Sequence, residues 1–160
     1  MEAIFKHVTE QYDAIKDSRH ILLEFCKTIS EQDLLTENNY FGRGGSIRNL
    51  LVHTVNVYEF WIAKTTLSKE IIFTDYQSKK SISEIIALFE KVDIFMNEFI
   101  EQFRLDETKR IEYERNGNRN SVSLLKLFTH VITHEFHHKG QILSISRSLG
   151  YVPVDTDVIR

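Results

Sequence analysis

Cysteine occurs once in this sequence, at Cys26, so no disulfide can close within the chain, which fits a reducing cytosol. Proline also occurs once, at Pro153. Because proline breaks helix interiors, the long stretches without it are free to run as helices. No apolar run approaches the roughly 18 residues of a membrane span. The first residues, with Glu2, Lys6, His7 and Glu10 among them, lack the apolar core of a signal peptide. An excess of positive charge is missing too. The formal net charge is −3, so no basic field is available to hold nucleic acid or an anionic membrane surface. Internal repeats and low-complexity segments are absent as well. Together these absences point to a cytoplasmic protein with neither nucleic acid nor membrane as a partner.

What is present is an ordinary globular composition, 42% hydrophobic and 27% charged over 160 residues, enough for one domain spanning 1–160 with its own core. Four amphipathic stretches stand out. The first runs from Ile4 to Ile29, with Phe5, Val8, Tyr12, Ile15, Leu22, Phe25 and Ile29 at helical spacings. Cys26 falls within that stripe and reads as a buried, inert thiol. A polar loop ending in Phe41-Gly42-Arg43-Gly44-Gly45 follows, and Ser46 is a natural N-cap for a second helix from Ile47 to about Leu67. That helix carries Leu50, Leu51, Thr54, Tyr58 and Trp61 on one face, with Tyr58 and Trp61 read as core. A third opens on the capping-box pattern Ser81-Ile82-Ser83-Glu84 and continues through Phe99. Next, Arg110-Ile111-Glu112-Tyr113-Glu114 alternates before Asn116-Gly117, which fits a short hairpin or a plain loop. The fourth helix spans about Ser121 to Leu149 and stops at Gly150. Long apolar faces on four helices make an all-α four-helix bundle the natural architecture.

Chemistry concentrates in the histidines. His134 and His138 lie four residues apart, one turn along one helix face, where two imidazoles can chelate one ion. Leu124, Leu127, Phe128, Val131, Ile142, Ile145 and Leu149 define that helix's apolar stripe. At about 100° per residue, His138 falls near its centre, His134 roughly 50° to one side and Glu135 roughly 50° to the other, while His137 points away. An inward histidine pair can be two hydrogen-bonded core residues or half of a metal site, and spacing alone leaves these level. His53, at the edge of the second helix's apolar face, can deliver a third nitrogen and shifts the balance toward a metal. Three nitrogen ligands with an open position describe a catalytic rather than a structural site. His130, one turn before His134, reads as a pocket wall rather than a fourth ligand. His7 and His20 read as surface residues.

Two segments bear a family likeness. Ser46-Ile47-Arg48-Asn49-Leu50-Leu51-Val52-His53 continues to Tyr58-Glu59-Phe60-Trp61, and His130-Val131-Ile132-Thr133-His134-Glu135-Phe136-His137-His138-Lys139-Gly140-Gln141-Ile142 forms the other. With the ending Leu149-Gly150-Tyr151-Val152-Pro153 and Asp157, the chain resembles the DinB/YfiT-like superfamily of bacterial metal-dependent proteins. The resemblance implies an up-down-down-up four-helix bundle, often a homodimer. It also implies a divalent metal, nickel or zinc, at the positions of His53, His134 and His138. Lys139 stands where many members have arginine. Some relatives are thiol-dependent transferases or isomerases that use a low-molecular-weight thiol such as bacillithiol or mycothiol.

Three functions compete. The leading one is a metal-dependent enzyme on a small molecule, of thiol S-transferase or hydrolase type, with Glu135 a candidate proton acceptor, although a capped or solvent-facing carboxylate is the commoner state of such a residue. The second is a non-catalytic metal-binding stress-response protein that acts as a dimer. The third is a zinc peptidase, since His134-Glu135-Phe136-His137-His138 matches H-E-x-x-H with the glutamate as general base. The extended peptidase motif needs a glycine and a third histidine where this chain has Gln141 and Ser144, and no glutamate follows His138. That reading ranks last.

Overall fold

The computed structural model describes residues 2–38 and 45–160. The loop positions Phe41, Gly42, Arg43 and Gly44 lie outside the described residues. The protein is mostly helical. Its elements are α1 (Glu2–Cys26), α2 (Glu31–Leu35), α3 (Ile47–Tyr58), α4 (Ile82–Asp106), β1 (Arg110–Arg115), β2 (Asn118–Ser123) and α5 (Leu124–Ser148). Helix α1 packs on α4 and α5, and α3 packs on the same two. Their apolar stripes meet in one core that includes Tyr12, Leu50, Phe99, Phe103 and Phe128. Within it Phe103 stands edge-on to Phe99 at 5.6 Å and to Phe128 at 6.5 Å, arrangements in which a ring's positive edge meets a negative face. Cys26 is buried, and burial pushes its thiol up to about 12, which keeps it protonated and inert.

The capping residues act as their positions suggest. Ser46 accepts from the Asn49 amide, and Ser81 and Glu84 form the reciprocal box. Each such cap contributes about 1 kcal/mol by satisfying an amide with no intrahelical partner. The last helix begins later than expected, at Leu124 rather than Ser121. Ser121 and Val122 belong to β2, where they pair with Glu112 and Ile111, and Ser123 is the N-cap. The hairpin reading, rather than the plain loop, is the observed one. Asn116 and Gly117 both take positive φ, 53° and 74°, as a type I′ turn requires. Gly150, at φ 92°, turns the chain out of α5. The tail then crosses α1, where the Lys139 ammonium donates to Ser18 Oγ and Ser18 donates to the Thr156 carbonyl.

One local departure bears on the site. Beyond Tyr58 the second long helix continues, but Glu59–Thr66 is π-helical. The Leu67 amide bonds to the Ile62 carbonyl five residues back, and the Thr65 and Thr66 hydroxyls donate to Phe60 and Trp61 carbonyls, also five back. Such wide turns concentrate at functional sites, and this one carries Phe60 and Trp61 onto the surface beside His53.

The same segment buries Glu59, whose Oε2 has no hydrogen-bond partner among the described residues. Burial raises its pKa above the ordinary 4.5, opposed in part by the charge of Lys91. The folded carboxyl therefore holds its proton more tightly than the unfolded one, so stability falls as pH rises through 4.5 and the cost is fully present above the folded value. Glu59→Gln is expected to stabilise the fold by about 1 kcal/mol at pH 7, with the gain shrinking toward pH 4. Urea unfolding at both pH values checks this, and equal gains at both would contradict an origin in ionisation.

Candidate metal centre

His53 projects from α3 and His134 and His138 from α5, and the packing of these two helices brings the three rings together. Ring centroids lie 5.0 Å apart for His53 and His134, 4.8 Å for His53 and His138, and 4.4 Å for His134 and His138. One nitrogen of each ring falls within 4.8 Å of the other two. His53 and His138 are buried and His134 is half-buried. His137, one position from His138, is exposed, as the helical wheel predicts.

The donor geometry can be tested against an ion. Two nitrogens each about 2.0–2.1 Å from a tetrahedral zinc stand about 3.3 Å apart. The Nε2 atoms of His134 and His138 are 3.3 Å apart. Neutral imidazoles suit zinc or nickel, so the residues present fit a divalent transition metal.

Gln141, which carries no assigned role at the level of sequence, fixes the chemistry of one ring. Its Oε1 lies 2.7 Å from His138 Nδ1. A carbonyl oxygen can only accept, so the proton sits on Nδ1 and the lone pair on Nε2, the nitrogen that faces His134. The Gln141 amide nitrogen in turn lies 3.3 Å from His137 Nε2.

On the other flank of α5 the structure corrects the reading of Glu135. It is neither solvent-facing nor available as a base at the histidines. Arg19 of α1 grips both its oxygens at 2.9 Å, and the Tyr58 hydroxyl donates to it at 2.6 Å. Arg19 also reaches Asp93 of α4 at 2.6 Å, and Tyr12 donates to Asp93 at 2.7 Å. Burial opposes the Arg19 charge, but Glu135 beside it holds the guanidinium well above its ordinary value; burial and then Glu135 push the Tyr58 hydroxyl up. Tyr58 remains unionised and Glu135 is held as an ion-paired carboxylate. The H-E-x-x-H reading loses its general base by this arrangement. The signal for Arg19 was present in α1, where an arginine interrupts the stripe Tyr12, Ile15, Leu22.

A cleft of about 330 Å³ opens beside the triad, lined in part by His53, His134, Phe60, Trp61, Tyr113 and His130. Trp61 is half-buried, packing against the core as its spacing suggested while also forming a wall of this cleft. His130 stands edge-on to Trp61 at 5.5 Å and lies outside the three-ring group, as a pocket wall should. Burial first, and then the charge of Arg115, lower its pKa, so it stays neutral at pH 7. His7 and His20 are exposed. No described helix is long and apolar enough to cross a membrane.

The family model described as the DinB family matches residues 4–160. The chain is also similar to a Bacillus subtilis (strain 168) protein named YizA and described as uncharacterized, at 27% identity over 139 residues, which cover 84% of this chain and 83% of that protein.

Proposed function

We propose, from the premise that this chain belongs to the DinB family, that it binds one divalent transition metal, zinc or nickel, through His53, His134 and His138. The metal would serve a reaction on a small molecule, of thiol S-transferase or hydrolase type. The observation that carries this is the convergence of three imidazole nitrogens from two helices within 4.8 Å. Within the same proposal the long helices form the up-down-down-up four-helix bundle, and the protein works in the cytoplasm as a homodimer.

A divalent metal here supplies Lewis acidity and lowers the pKa of a bound water or thiol. The chain's own residues do the rest. Gln141 presents the His138 lone pair, and the packing of α3 on α5 holds His53 opposite the α5 pair. Trp61, Phe60 and Tyr113 keep bulk water off one side of a substrate. The cleft favours catalysis over a purely structural metal, because a structural site is closed by its ligands whereas a catalytic one keeps an open position.

Metal analysis after dialysis against zinc or nickel tests the assignment. His53→Ala, His134→Ala and His138→Ala are each expected to lose most of the bound metal, while His137→Ala, which leaves Gln141 on His138, retains it. Far-ultraviolet circular dichroism checks that each variant is folded. Equal loss in the His137 variant would overturn the ligand set.

A further inference from the structure

The cleft continues away from the triad. A second hollow of about 180 Å³ shares Trp61, Tyr113, Arg115 and His130 with the first and adds Val122, Lys126 and Leu127. Together the two lie within the range of small-molecule sites. Their long axis can be read from the register of α5. Lys126, His130, His134 and His138 recur every fourth residue, so they line one face of the helix. At 1.5 Å per residue, His134 and Lys126 are about 12 Å apart along the axis.

The two ends differ in chemistry. One end holds the three imidazoles. The other holds two exposed cations, Arg115 and Lys126, neither of which makes an ion pair or a side-chain hydrogen bond among the described residues. Between them are aromatic walls, with Trp61 edge-on to Tyr113 at 5.1 Å and to His130 at 5.5 Å. Glu114 also reaches the first hollow, but it sits opposite Arg119 across the hairpin, whereas Arg115 sits opposite Asn118. The cross-strand neighbour of Glu114 is thus a cation, whereas that of Arg115 is uncharged.

We propose that this cleft takes an elongated anionic small molecule, its carboxylate or other oxyanion on Arg115 and Lys126, its apolar body against Trp61 and Tyr113, and its other end at the three histidines. What happens at the histidine end rests on the metal-binding reading above; the anion end does not. Arginine suits this task because its planar fork matches two oxygens of a carboxylate. The hairpin then has a function beyond connecting helices, since β1 supplies both Tyr113 and Arg115.

Trp61 is the chain's single tryptophan, so its emission reports occupancy of the cleft directly. The probes are 6-mercaptohexanoate and its uncharged counterpart 6-mercaptohexanol, titrated into the full chain with zinc present and after chelation. The acid is expected to bind about tenfold more tightly than the alcohol in both states. In Arg115→Gln/Lys126→Gln, whose changes are at exposed positions, that preference should fall below about twofold. Equal binding of acid and alcohol by the unaltered protein would overturn the proposal, as would a preference that survives the double substitution or the absence of any change in emission with either probe. Failure of the metal reading shows separately, as zinc leaving both affinities unchanged while the acid-to-alcohol ratio stays.

Discussion

Replacing Arg19 by Leu is expected to destabilise the protein by about 3–5 kcal/mol, because it strands the carboxylate of Glu135 in a site where it is 3% exposed. A typical domain of this size is stable by about 5–15 kcal/mol, so the variant should be close to unfolding at 37 °C. The guanidinium joins three elements at once: Glu135 on α5, Asp93 on α4, and the Tyr12 ring of its own helix. Removing it leaves Tyr58 as the hydrogen-bond donor, among the described residues, to a charge that two forked N–H groups had held. Replacing Arg19 and Glu135 together by Leu should recover part of the loss, since neither member of the pair is then left buried without the other. Urea unfolding of the two single variants and the double variant gives the coupling directly. A loss under about 1 kcal/mol in Arg19→Leu would mean that water reaches Glu135 and that the pair is not buried in solution.

Gln141→Leu should weaken zinc binding about 10–100-fold while leaving all three histidines in place. The reason is the proton on His138. With Oε1 of Gln141 at 2.7 Å, Nδ1 keeps the hydrogen and Nε2 offers its lone pair toward His134. Without that acceptor the ring can take the other tautomer or rotate, and it must be reorganised before it can donate to a metal. Gln141→Glu is expected to do the opposite and tighten binding, because a carboxylate is a stronger acceptor that raises ligand basicity. Competition against a chromophoric chelator measures both variants. Unchanged affinity in Gln141→Leu would show that helix packing alone orients His138.

How much of this was legible in the sequence depends on how far each feature reaches along the chain. The α5 pair is a local property: four residues and a helical period place His134 and His138 together, and the same wheel turns His137 outward. His53 was harder, because its place follows only once α3 packs on α5, yet its position at the edge of an apolar face was a usable sign. Glu135 was misread for the opposite reason. The wheel put it at the border of the stripe, where a carboxylate ordinarily finds water, and its partner Arg19 lies more than a hundred positions earlier on α1. An arginine within the stripe of Tyr12, Ile15 and Leu22 was the available clue, since a buried cation requires a buried anion. The start of α5 was misplaced because Ser121 and Ser123 are equally good caps by type. Only the pairing of Val122 with Ile111 decides between them. The role of Trp61 was hidden by the change from α to π winding after Tyr58, which no local propensity announces.

That winding also bears on how the chain tolerates change in length. A loop closed from residue i to i+5 holds one residue more than an α turn, so Glu59–Thr66 stores an insertion inside a helix without interrupting it. Losing one residue there would return the stretch to ordinary winding while both flanks kept their phase, whereas the same loss inside α4 would turn every later side chain to a new face. A one-residue change of length in this part of the chain would therefore leave the flanking helices in phase and be felt in the segment itself and at the cleft it borders. Such a change would shift Phe60 and Trp61, the aromatic wall beside the histidines, without rebuilding the helices that hold those histidines.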